Sequence, residues 1–356
     1  MKMTISDAYG LNDVLEAFSQ GREVYAPEAD GHGHYRLVRA PTWLPGRHTL
    51  GAYRQTEPLK VLFFQPREFL GTFTAEADRE PIPERIVFGV KNCDLSSLQI
   101  HDHVFLNGGG CKDPYYAAAR EKTILVSSDC DDFLDVCFCA GVGEQPYALK
   151  GFDINISSTP AGVLFEVETD RGADLLRATA RYLKPANPAL LDAVRTQRKQ
   201  KHETLAVHSE KHGVKPGADL RHALEDSFGS TLWQDFAADC VECGACNFIC
   251  CTCHCFLLAD GVNADSEPAR TKQWDACLLR NFAATAGGHN ARPLRTQRLH
   301  HRFDKKFSYF PKVLGRYACD GCGRCTEACI AKIDIRDVLR RAIDESDALH
   351  AHSGDC

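Results

Sequence analysis

Two runs of cysteine share one spacing: Cys240, Cys243, Cys246 and Cys250, then Cys319, Cys322, Cys325 and Cys329. Each reads C-x2-C-x2-C-x3-C, a pattern that holds 4Fe–4S clusters in pairs, the last cysteine of each run serving the other cluster. A cubane needs a thiolate at each iron corner. Two-residue gaps let a short loop wrap three corners, and the fourth cysteine, just inside the next helix, reaches across. The expected sites are therefore Cys240, Cys243, Cys246 and Cys329 for one cluster, and Cys319, Cys322, Cys325 and Cys250 for the other. Zinc also takes C-x2-C pairs, but its sites rarely need a third cysteine two residues further on, and here that occurs twice. Two such clusters accept and pass single electrons.

Other cysteines stand around these runs. Cys93, Cys130, Cys137 and Cys139 follow strand candidates, and ligand sites gather at the carboxyl ends of strands in a parallel sheet. They could hold a third cluster, or Cys93 and Cys130 could be small buried residues with the other two incidental. Cys253, Cys255 and Cys277 either pack beside the clusters or supply alternative ligands. Cys251 stands where such motifs usually have proline, as does Ile330 in the second run; this puts the local turn in question and lets Cys251 or Cys253 compete with Cys250. Cys111 and Cys356 are unremarkable.

The elements that must position these residues are of two kinds. The first part reads as α/β, with a helix over Asp13–Phe18 and strands over Tyr35–Val38, Val61–Phe64, Arg85–Val90 and Thr123–Ser127. Asn92-Cys93-Asp94 reads as a cap into a helix Leu95–Val104, and Phe152–Ile156 with Val163–Val167 as a hairpin. A polar helix over 187–213 presents Arg195 to His202 as a solvated face. The 68 residues between the runs (251–318) exceed the gap of a small ferredoxin and must carry helices and loops of their own. The fold class is thus α+β: an N-terminal α/β domain (1–185), a helical linker (186–235) and a mostly helical dicluster ferredoxin-type domain with a long insert (236–356). Gly108-Gly109-Gly110 and Gly141-Val142-Gly143 lack the dinucleotide fingerprint. The basic run Arg292, Arg295, Arg298, His300, His301 and Arg302 reads as solvated surface, with a docking face for an acidic partner as the alternative.

Composition narrows the function classes. The chain has 356 residues, 44% hydrophobic and 25% charged, with a net charge of −6, which argues against nucleic-acid binding. Eighteen cysteines in a chain this long, seven of them between Cys240 and Cys255, are ligand-like clustering rather than a disulfide scaffold. Met1 to Gly10 carries no apolar signal core or twin-arginine motif, and no stretch approaches the ~20 apolar residues of a membrane span. The expectation is a cytoplasmic protein with reduced thiols.

In ordered combination the segments resemble a known family, which joins the β subunit of sulfhydrogenase-type NiFe hydrogenases to the iron–sulfur relay protein of anaerobic sulfite reductase. They are Phe88 through Leu95, Asp113-Pro114-Tyr115-Tyr116, Cys137-Phe138-Cys139, Cys240 through Cys246, Cys253-His254-Cys255-Phe256, Trp274-Asp275-Ala276-Cys277, Gly287-Gly288-His289-Asn290 and Tyr309-Phe310-Pro311. The resemblance implies a subunit without a substrate of its own. It would relay electrons between a catalytic module of hydrogenase or sulfite-reductase type and a flavin- and NAD(P)-binding subunit. A heterodisulfide-reductase-like assembly is a further option. The resemblance carries over the eight cysteines of the two runs as ligands and makes the other seven family-type positions with open roles. Two rivals stand beside it: a reductase with a catalytic cluster in the N-terminal domain, and a zinc-based structural module.

Overall fold

The computed structural model describes residues 1–6, 8–73, 81–264 and 266–351; Cys356 lies outside them. Eleven strands are described in chain order: β1 (Lys2–Ile5), β2 (Glu23–Ala29), β3 (Tyr35–Ala40), β4 (Arg67–Thr72), β5 (Arg85–Val90), β6 (Thr123–Ser128), β7 (Ile154–Thr159), β8 (Gly162–Val167), β9 (Leu183–Pro185), β10 (Phe256–Val262) and β11 (Pro268–Trp274). Eight of them form one mixed sheet in the order β3-β2-β5-β6-β7-β8-β1-β9, parallel from β2 to β7 and antiparallel at both flanks.

β5 and β6 lie at its centre, and every residue of both is buried. That is why they read as continuous apolar runs rather than alternating ones. The period of two still sorts their side chains. Ile86, Phe88 and Val126 pack with Val14, Phe18 and Leu175 on one face. Val87, Val90 and Leu125 pack with Leu98, Phe105 and Tyr116 on the other.

Three sequence expectations change at this level. Val61–Phe64 is not a strand: Leu59–Leu62 forms a 3₁₀ turn after Pro58, because the run is apolar without alternation and turns its side chains into one core. The helix expected from Leu95 begins at Asn92 and runs to Asp102, followed by a π-helical turn over His103–Asn107. Asp94 is therefore not a cap but an ion-pair partner. The helix Pro188–Lys211, capped by Asn187, is solvated as expected at Arg195 and Lys199, while Arg198 turns inward to Asp129 at 2.7 Å.

In the C-terminal part, helices surround a second core that includes Leu220, Trp233, Phe303, Phe307 and Val338, with Phe138 inserted from the N-terminal part. This part is not helical throughout. The insert carries the hairpin β10–β11, and β4 pairs antiparallel with β11 to make a three-stranded sheet. Among the described residues, no helix is long and apolar enough to cross a membrane.

Candidate iron–sulfur sites

The two cysteine runs fold into near copies of one loop. Left-handed backbone occurs at Glu242 and Gly244 (φ 57° and 72°) in the first, and at Gly321 and Gly323 (63° and 70°) in the second. The hydrogen bonds repeat as well. Asn247 N–H donates to Gly244 O at 2.8 Å and Thr326 N–H to Gly323 O at 3.0 Å; Cys250 N–H donates to Asn247 O and Cys329 N–H to Thr326 O, both at 3.3 Å. Alternating right- and left-handed residues turn successive N–H groups to one side, making a concavity suited to an anion. Each loop then enters a four-residue helix, Ala245–Phe248 and Arg324–Glu327, which places the fourth cysteine just beyond.

The structure places cysteines of the two runs side by side. Cys240, Cys243, Cys246 and Cys329 line one cavity, which Cys325 lines as well. Cys240 and Cys246 both feel the charge of Cys329. Cys319, Cys322 and Cys325 all feel Cys250. Cys251 lies beside the second group, its Sγ 3.8 Å from that of Cys322 and 3.6 Å from Asp320.

The four N-terminal cysteines also meet. β5 ends in a bulge at Gly89, where φ is 67° and a Cβ would fall 2.6 Å from Leu50 O. The chain beyond it is held by Lys91, whose buried ammonium donates to Gly51 O, Ser128 Oγ and Asp129 O at 2.6–2.9 Å. That tie fixes the carboxyl ends of β5 and β6 side by side, and Cys93 and Cys130 follow them. Cys139 feels Cys137 and Cys130, and Cys93 feels Cys322 and Cys130. Burial pushes the Cys130 thiol up to about 12, opposed by Lys91, and raises Cys93, Cys137 and Cys139 too. Metal binding would displace the protons of such thiols. The fourfold set abuts the second run through backbone contact, with Phe138 N–H donating to Gly321 O at 2.8 Å.

This contact makes a sharp test. A Cβ on Gly321 would lie 2.4 Å from Cys139 Cα, and one on Gly323 would lie 2.3 Å from Val136 O. Gly321→Ala is therefore expected to cost more than the roughly 1–2 kcal/mol of a left-handed alanine, and to displace the Cys137–Cys139 segment. Iron content and denaturation midpoint measured together would reveal both effects; an unchanged variant would refute the close approach.

Charge fits an anionic occupant. A hydrogen bond from Cys251, then Arg324 and Arg54, draw the Cys322 thiol down to about 6 despite its burial. Arg54 donates to Cys322 O at 2.6 Å, and buried Lys306 to Cys250 Sγ at 3.3 Å. The basic run of the helix Arg295–Asp304 is not solvated throughout, because Arg298 and Arg302 are buried: Arg298 pairs with Glu242, and Arg302 points at Cys253 Sγ and Cys246 O. The polar partners of Arg302 and Lys306 among the described residues are sulfurs, carbonyls and a hydroxyl rather than carboxylates. A buried cation without an anion is strongly unfavourable.

Spacing separates clusters from zinc. Tetrahedral zinc with 2.3 Å bonds needs its sulfurs about 3.8 Å apart. Among the described residues, no trio of His, Cys, Asp or Glu with ligand atoms mutually within 4.8 Å includes a cysteine. Cys111 is exposed and joins none of these groups.

Sequence reasoning did not find His101, which is fully buried, stacks on Phe105 and donates from Nε2 to Cys251 O at 2.8 Å. Burial, helped by Lys60, pushes its pKa down to about 4. The folded state holds it neutral while the unfolded chain protonates near 6.5, so its contribution is complete above that pH and fades as pH falls toward 4. Stability is expected to drop by about 1 kcal/mol between pH 7 and 5.5 from this residue alone. Anaerobic denaturation of wild type and His101→Asn at both pH values checks it: the variant should lack that share of the slope.

A family model for a 4Fe–4S dicluster domain matches residues 239–333. The chain is 31% identical over 288 residues to sulfhydrogenase 2 subunit beta of Pyrococcus furiosus, covering 79% of this chain and 81% of that relative. No solved structure matches it. With its paired motif loops and its similarity along most of both chains, this chain belongs to the family of sulfhydrogenase β subunits, iron–sulfur proteins of electron transfer.

Proposed function

We propose that this chain is a relay subunit, passing single electrons between a catalytic module of hydrogenase type and a flavin- and NAD(P)-binding subunit, with a sulfite-reductase module as the other member of the same class. A 4Fe–4S cluster supplies reversible one-electron transfer. In this reading Cys240, Cys243, Cys246 and Cys329 hold one cluster, and Cys319, Cys322, Cys325 and Cys250 the second. Cys93, Cys130, Cys137 and Cys139 hold a third. Residues 1–185 form the domain carrying the third site, 186–235 the linker, and 236–356 the two-cluster domain.

The observation that carries it is the continuity of the cysteine groups. The N-terminal four adjoin the second run, with Cys137 Sγ 4.0 Å from Cys322 O and Phe138 N–H donating to Gly321 O, and Cys325 of that run lines one cavity with Cys246 of the first. Sites linked in series serve conduction. A catalytic cluster in the N-terminal domain would need an open corner, whereas four cysteines gather there. Backbone N–H groups of the motif loops and the cations Arg54, Arg302, Arg324 and Lys306 stabilise negative charge at the sites and would tune their potentials.

Two measurements test the reading. Anaerobically purified protein should carry at least about twelve irons per chain and give EPR signals on reduction; a colourless, zinc-loaded, EPR-silent chain would end it. Affinity capture of the intact complex should recover a flavoprotein and a hydrogenase- or sulfite-reductase-type subunit.

A further inference from the structure

Among the cysteines outside these groups, Cys253, Cys255 and Cys277 stand close together. They line one cavity together with Asn247, Arg302 and Lys305. The base of the β10–β11 hairpin brings them together, since Asp275 N–H donates to Cys255 O at 2.9 Å and Cys277 follows two residues later. Every sulfur has a donor aimed at it. The amide of Asn247, itself only 2% exposed, donates to Cys277 Sγ at 3.1 Å and faces Cys253 Sγ at 3.8 Å. Arg302 reaches Cys253 Sγ and Lys305 reaches Cys255 Sγ, both at 3.8 Å.

We infer that Cys253, Cys255 and Cys277 hold a further iron–sulfur cluster with one iron corner not served by cysteine. Three neutral thiols would be poor partners for this ring of donors. An anionic cluster balances the buried guanidinium of Arg302, whose partners here are a sulfur and a carbonyl, and satisfies Asn247. The three sulfurs are too widely spaced for a single ion, since no cysteine trio among the described residues falls within 4.8 Å. His254 is not the missing ligand: its Nδ1 donates to Thr252 O at 3.0 Å and its Nε2 accepts from Lys305 at 2.9 Å. Cys246 and Cys250, the nearest other thiols, belong to the two motif groups. Arg302 bridges Cys253 Sγ and Cys246 O, so the site would extend or branch the relay at the first group.

The inference builds on the relay reading, but its test is separable. Cys277→Ser and Cys255→Ser should each lower iron by about three to four per chain against wild type and against Cys111→Ser, with the EPR signals of the motif clusters retained. A Cys93→Ser variant reports on the third site independently, so failure of either reading can be told from failure of the other. In wild type, mild ferricyanide treatment should release the unprotected corner as Fe(II). One electron passes to the ferricyanide, leaving a 3Fe–4S EPR signal that Cys277→Ser lacks. Unchanged iron in both serine variants overturns the inference. If instead both variants lose every cluster, the wild-type ferricyanide signal decides, and its absence overturns the inference.

Discussion

Cys329→Ser is expected to remove the cluster of the first motif loop, although Cys329 belongs to the second. The loss should be about four irons per chain, and the remaining EPR spectrum should match that of Cys240→Ser. Cys250→Ser should likewise match Cys319→Ser. The reason is the pairing in space: Cys329 lines one cavity with Cys240, Cys243 and Cys246, whereas Lys306 ties Cys250 Sγ to Ala318 O, next to Cys319. Uncrossed wiring would instead make Cys329→Ser match Cys319→Ser. If Cys251 substituted for Cys250, Cys250→Ser would retain its iron, and its crowding against Cys322 and Asp320 argues against that outcome.

The second large effect concerns how the N-terminal part is held on the cluster loops. Arg324, inside the second motif, is 1% exposed and donates to both carboxylate oxygens of Asp94 at 2.7 and 3.1 Å, and to the carbonyls of Gln55 and Thr56. Asp94 is wholly buried and also accepts from Leu59 N–H at 3.1 Å. Asp94→Ala leaves a guanidinium buried without its anion, at an expected cost of about 3–5 kcal/mol. Anaerobic chemical denaturation should register that loss, with the N-terminal iron lost before the motif clusters. The double variant Asp94→Leu with Arg324→Met should recover part of it, because removing both charges removes the desolvation penalty as well. A single variant costing under about 1 kcal/mol would place the pair with weak surface bridges.

Several features were legible in the residues for identifiable reasons. The motif loops were readable because wrapping three corners of a cubane is a local problem, solved within seven residues. β5 and β6 were readable because burial on both faces demands unbroken apolar runs. Val61–Phe64 was misread for the same cause, since a short apolar run has no period to separate strand from turn. The hairpin β10–β11 was missed because Phe256, Leu257 and Leu258 follow one another and are all exposed, so the strand shows no alternation of apolar and polar residues. Arg295, Arg298 and Arg302 recur at helical spacing on one face, a signal that, beside two anionic clusters, could have pointed inward rather than to solvent.

Thiolate spacing by itself determined that this chain is an iron–sulfur protein of the dicluster kind, because ligand geometry at a cubane corner is set by neighbouring residues. Tertiary structure alone decided where the other cysteines go. Cys93 and Cys130 meet because parallel pairing sets the ends of β5 and β6 together under Lys91. Cys255 and Cys277 meet because a hairpin closes the twenty-odd residues between them. The cations beside these cysteines can stand far along the chain from their partners, as Arg54 does from Cys322, 268 residues away. Such pairs leave no mark in local sequence, since burial and charge compensation are properties of the folded interior.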